Sequence, residues 1–104
     1  MKGVHLRFYT SESRKLHGSL AYEWLLERAK GLGIGGGSAF KAIAGFGRHG
    51  RLHEQHFFEL AGEVPVRVEF IVTEEQADAL LQSLAAERLD LFYARTPAEF
   101  AESG

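Results

Sequence analysis

The chain has 104 residues and a mass of 11.5 kDa, enough for one domain with a modest core and too few for two. Apolar residues make up 45% and charged residues 25%, the balance of a globular protein, which excludes disordered, collagen-like and coiled-coil chains. Twelve Lys+Arg against fourteen Asp+Glu leave a formal charge of −2, so no global basic field recruits nucleic acid, and the absence of cysteine excludes disulfides, thiolate metal sites, iron–sulfur clusters and a Cys nucleophile.

The first ten residues lack the apolar stretch of a secretory signal, and no segment approaches the roughly 18 consecutive apolar residues of a membrane span. The expectation is a cytoplasmic protein with no inserted segment. Val4, Leu6 and Phe8 alternate with His5, Arg7 and Tyr9, which predicts a strand with one buried face. Residues 11–18 are polar and read as a connection. Ser19 is a candidate N-cap for a helix in which Leu20, Trp24, Leu25, Ala29 and Leu32 recur at helical spacing, and Gly31 and Gly33 end it.

Residues 35–47 read as one strand rich in small residues, whose glycines permit a bulge or close backbone approach. Residues 48–55 read as a polar, basic loop, and residues 57–60 as a short strand. Val64, Val66, Val68, Phe70 and Val72 form the clearest strand in the chain, with Pro65 suited to its beginning. Thr73 and Gln76 make a capping box for a second helix carrying Ala77, Leu80, Leu81, Leu84 and Ala85 and running to about Arg88. Leu89, Leu91 and Tyr93 open a last strand that Pro97 stops. The expected domain is therefore 1–97, with 98–104 a mobile tail.

The order strand, helix, strand, strand, helix, strand predicts an α+β, ferredoxin-like βαββαβ fold, with two helices on one face of an antiparallel sheet. If the opposite face carries Phe, Tyr and Ile it is not left bare, since such a face marks an association surface.

Few constellations carry chemistry. The glycines between Gly31 and Gly37 follow a helix and open a strand, the reverse of a dinucleotide fingerprint, and no Gly-Lys-Ser/Thr is present for a phosphate loop. They read as a helix stop, a turn and close strand packing. Arg48, His49, Arg51, His53 and His56 form a dense cationic cluster. His53 and His56 stand three apart, one residue short of the helical zinc-protease spacing. The cluster leaves three readings: a solvated loop, a metal site drawing on His49, His53 or His56 with Glu59, or an anion site built on the Arg forks. Ser11, Ser13 and Ser38 lack a nucleophile context. Glu69 and Arg67 lie on the second face of the Val64–Val72 strand, where burial would require them to be paired, and a structural pair is favoured over a catalytic acid.

Several segments resemble a PII-like family of unknown function numbered 190. They are Met1-Lys2-Gly3, Tyr22-Glu23, Gly33-Ile34, Gly36-Gly37, Phe40-Lys41-Ala42-Ile43, Gly45-Phe46-Gly47, Arg51-Leu52-His53, Pro65-Val66, and Glu69 with Ile71-Val72. The family is similar to PII signalling proteins and to CutA-type trimers. The resemblance implies a homotrimer with inward-facing sheets, a long regulatory loop, ligand bound in intersubunit clefts, and a protein partner such as a transporter or an enzyme. PII proteins also use a Gly/Lys-rich loop after the second helix. The corresponding residues here, Ala86-Glu87-Arg88-Leu89-Asp90, contain neither glycine nor lysine, so nucleotide is left open and no cofactor is expected.

The first reading is thus a non-enzymatic, PII-like sensor of a small anionic ligand. Its candidate ligand-binding residues are Lys41, Gly45, Phe46, Gly47, Arg48, Arg51 and His53, on a loop expected to order on binding. The alternatives are a CutA-like metal-related protein and a small ferredoxin-like enzyme.

Overall fold

The computed structural model describes residues 1–46, the backbone of 53–54, and residues 64–104. Strand β1 (Lys2–Ser11) buries Val4, Leu6 and Phe8 on one face. The chain then forms a small hairpin, β2 (Lys15–Leu16) and β3 (Ser19–Leu20), before helix α1 (Ala21–Gly31). Strand β4 (Ser38–Lys41) follows, then β5 (Ala44–Gly45), which pairs with β6 (His53–Glu54). Strand β7 (Pro65–Val72), helix α2 (Glu74–Ala86) and strand β8 (Phe92–Glu99) complete the chain.

The main sheet is antiparallel, in the order β4-β7-β1-β8. With the helices placed between its strands, this is the ferredoxin-like arrangement expected from the order of elements. Ala21, Leu25 and Ala29 of α1 and Ala77, Leu80 and Leu84 of α2 pack on Val4, Leu6, Phe8, Val66, Val68, Phe70 and Val72. Phe8 meets Phe70 edge-on, with ring centroids 6.3 Å apart.

Several local expectations are corrected. Residues 11–18 are more than a connection: His17 and Gly18, both at positive φ (52° and 82°), turn the β2–β3 hairpin. Ser19 does not cap α1. The cap position is Leu20, and the first helical amide, Ala21 N–H, donates to the Arg14 carbonyl at 2.8 Å. The hairpin therefore does the work assigned to a hydroxyl. Residues 35–47 split into β4 and β5, and β6 lies inside the segment read as loop. The expected strand at 57–60 falls outside the described residues.

Leu89 is not in the last strand. It is buried just past α2, and β8 begins at Phe92. Pro97 does not stop β8, which reaches Glu99, so Ala98 and Glu99 belong to the sheet and not to a tail. The reason is register at an edge. Met1 and Phe100 exchange both backbone bonds at 2.9 Å. Alternation then makes Val4–Pro97 a non-hydrogen-bonded pair, with the proline nitrogen facing outward where no amide is required.

Other signals stand as read. Gly33 has φ 83°, and Gly33 N–H to Lys30 O with Ile34 N–H to Ala29 O closes α1 in a Schellman motif. Thr73 and Gln76 form both capping-box bonds, at 3.0 and 3.1 Å.

Candidate functional site

The face of the sheet opposite the helices carries His5, Arg7, Tyr9, Phe40, Arg67, Glu69, Ile71 and Phe92, as the two-residue alternation requires. Glu69 Oε2 takes His5 Nε2 and Arg67 Nε, each at 3.2 Å, and the Arg67 guanidinium lies 5.0 Å from the centre of the Phe40 ring. The Arg67–Glu69 pair is structural, as its place in β7 suggested. Ile71 is 54% exposed and Phe92 76% exposed, so the face is apolar in part and bare.

At the Tyr9–Phe92 end of the sheet lies an open groove of about 1020 Å³. Tyr9, Phe92 and Tyr93 supply part of its lining. Leu81, Leu84 and Ala85 of α2, with Leu89, Asp90 and Leu91 after it, make one wall. Gly45, Phe46 and Pro65 make the other. Phe46 and Phe92 are each about three-quarters exposed, and Tyr9 and Phe92 stack obliquely with centroids 5.7 Å apart. Asp90 is the one charged side chain among the described lining residues.

Two of the sequence-predicted site residues, Gly45 and Phe46, are brought into this groove. Gly45 sits in β5 opposite the backbone of His53. Lys41 is not part of the lining: it ends β4 and pairs with Glu12. Gly47, Arg48, His49, Arg51 and His56, and the side chain of His53, lie outside the described residues. Among the described residues no group of three His, Asp or Glu is placed to hold a metal ion. His5 pairs with Glu69, and His17 with Glu87.

The resemblance pointed to residues 86–90 as the counterpart of a ligand loop, but none of them was taken as a site residue, for want of glycine and lysine there. A signal for this wall was present in Phe92 beside Tyr93, an aromatic pair in a strand that alternation alone would bury on one face only. The glycines after α1 are structural. Gly33 stops the helix, and a Cβ on Gly37 would run into the Phe70 ring, so a strand–ring contact fixes glycine there.

The family model DUF190, "Uncharacterized ACR", matches residues 3–89. A UPF0166 protein of Aquifex aeolicus (strain VF5) is 39% identical over 79 residues, which are 76% of this chain and 75% of that protein. A UPF0166 protein of Methanocaldococcus jannaschii is 32% identical over 84 residues, 81% of this chain and 77% of that protein. Among solved structures the chain is similar to CPII, described as a nitrogen regulatory PII-like protein from Thiomonas intermedia K12, bound to ADP, AMP and bicarbonate. The TM-score is 0.67 at 17% identity, covering 94% of this chain and 87% of that one. A putative PII-like signalling protein from Thermus thermophilus gives a TM-score of 0.57 at 25% identity, covering 93% of this chain and 88% of that one.

Proposed function

The chain belongs to the DUF190 family, and from that premise we propose that it is a PII-like regulatory protein. In this reading it binds a small anionic ligand or nucleotide in clefts between copies of itself and acts on a protein partner, a transporter or an enzyme, in the cytoplasm. Its role is sensing, not catalysis.

The observation that carries the reading is the groove. It joins Gly45 and Phe46 to Leu89, Asp90 and Leu91 after α2, so a ligand seated there touches both segments at once. The exposed rings of Phe46, Phe92 and Tyr9 offer flat apolar surface of the kind on which a base stacks. No cation stands among the described lining residues. In this reading the charge that meets a phosphate comes from Arg48, Arg51 and His53, the cationic cluster of the sequence. The ligands of the Thiomonas neighbour guide the choice of probes.

The copies are proposed to meet as a homotrimer through the bare face of the sheet. Support comes from the exposure of Ile71, Phe40, Tyr9 and Phe92 on one surface, which association would remove from water.

A thermal-shift and calorimetric screen with ADP, AMP, bicarbonate, inorganic phosphate and divalent metals tests the reading. A ligand at a hundred times its dissociation constant stabilises the fold by about 2.7 kcal/mol. Saturable binding of ADP, AMP or a small anion is the expected result. A response to divalent metal alone would replace this reading with a metal-related role for His49, His53 and His56, and no response to any probe would overturn ligand sensing.

A further inference from the structure

We propose that Arg14, His17 and Arg28 are positioning residues for the groove: they fasten the segment after α2 to the β2–β3 hairpin and to α1, and so fix the wall that a ligand meets. The inference rests on the groove being the binding site.

Helix α2 ends at Ala86, and the chain turns sharply at Arg88, which holds φ 55° without the help of a glycine. Arg88 N–H donates to Ala85 O at 3.1 Å and Leu89 N–H to Leu84 O at 3.0 Å. A left-handed conformation is unfavourable for an L residue and persists only where the surroundings hold it. Here they hold it from behind. Glu87, just before the turn, accepts His17 Nε2 at 2.6 Å on Oε2 and faces Arg28 Nη2 at 4.0 Å with Oε1. Asp90, two residues after Arg88, accepts Arg14 Nη1 on its backbone carbonyl at 2.9 Å. Two donors, Arg14 and His17, and the Arg28 cation thus hold both sides of the turn, while Leu89, Asp90 and Leu91 face the groove.

The anchors are themselves fixed. The Arg14 carbonyl accepts the first amide of α1, and His17 occupies the two-residue turn of the hairpin. The side chains are exposed, His17 by 70%. Contacts this exposed add little to global stability. They act instead on the local opening of residues 87–91, the quantity that decides whether the groove wall is preformed. Coupling of this kind is reciprocal: if the hairpin steadies the wall, a ligand on the wall steadies the hairpin.

The test uses the full chain in its native assembly, with ADP as probe and the variants Arg14→Met, Arg14→Lys and Glu87→Ala. In Arg14→Met and Glu87→Ala, hydrogen exchange at the Arg88 and Leu89 amides should rise about three- to tenfold, the loss expected for one or two modest hydrogen bonds, with no change at Leu6 or Val68. ADP should bind about three- to tenfold more weakly to both, and Arg14→Lys, which still donates, should recover most of the loss. In the wild type ADP should slow exchange in the hairpin, and in Arg14→Met it should not. Unchanged exchange at Arg88 and Leu89, or raised exchange with ADP affinity intact, overturns the proposal. If wild-type protein does not bind ADP, the nucleotide reading falls by itself. The exchange arm then decides the fastening alone: a local rise upholds it, and no rise refutes it.

Discussion

Arg7 and Glu69 stand opposite each other in the β1–β7 register, yet Glu69 turns its Oε2 to His5 and Arg67, while Arg7 Nε is buried with no hydrogen-bond partner among the described residues. A donor withheld from water without a partner costs free energy. It lies in the middle of the bare face, between the exposed rings and Ile71. The apolar side chains around it are what a facing copy would cover.

The first prediction follows from that face. Light scattering on the untagged protein at micromolar concentration should give three times 11.5 kDa. Ile71→Glu, which places a charge on an exposed apolar position of that face, should shift the mass toward one copy while leaving the helix content unchanged. A monomeric wild type would remove the intersubunit cleft from the functional reading.

Gly37→Ala should destabilise the fold by about 1–3 kcal/mol, because the new Cβ would overlap the Phe70 ring and force repacking. Gly36→Ala, where nothing lies within 4 Å, is the matched control and should be close to neutral. Urea midpoints of the two variants, measured side by side, check the difference.

Thr73→Ala should lower stability by about 1 kcal/mol, since it removes the acceptor of the Gln76 amide at the start of α2. Thr73→Ser keeps that oxygen and should restore most of the loss. Equal denaturation midpoints for Thr73→Ala and wild type would mean that water replaces the cap without penalty.

Arg51→Ala should weaken binding of a phosphate-bearing ligand by about 1.5–3 kcal/mol, the range for a hydrogen bond to a charged group. Arg95→Ala serves as control, because Arg95 pairs with Asp78 of α2 on the helix-covered side of the sheet. Calorimetry that shows equal losses for the two would indicate bulk charge and not a site.

The parts of this fold that were legible in the sequence are those set by local chemistry. Val4, Leu6 and Phe8, and the run from Val64 to Val72, announce their strands because a pleat has period two whatever it pairs with. Thr73 and Gln76 announce a helix start because both bonds lie within four residues. Ser19 misled for the complementary reason: the donor it would have satisfied is taken by the carbonyl of Arg14, seven residues before Ala21 and brought near by a hairpin. Pro97 misled because its effect depends on whether its nitrogen faces a neighbour, which only register at an edge decides. The groove was half legible. Gly45 and Phe46 stood out beside the basic segment, but Leu81 and Leu89 read along the chain as ordinary core and Tyr9 as the outer face of a strand, and only the folded sheet joins them.

The paired ends of β1 and β8 bear on how this protein can be handled. Met1 and Phe100 are bound to each other at one end of the sheet, and Tyr9 and Phe92 border the groove at the other. Eight residue steps along each strand separate them, about 27 Å at the rise of an extended chain. A label carried on Met1 or Phe100 therefore starts far from the groove.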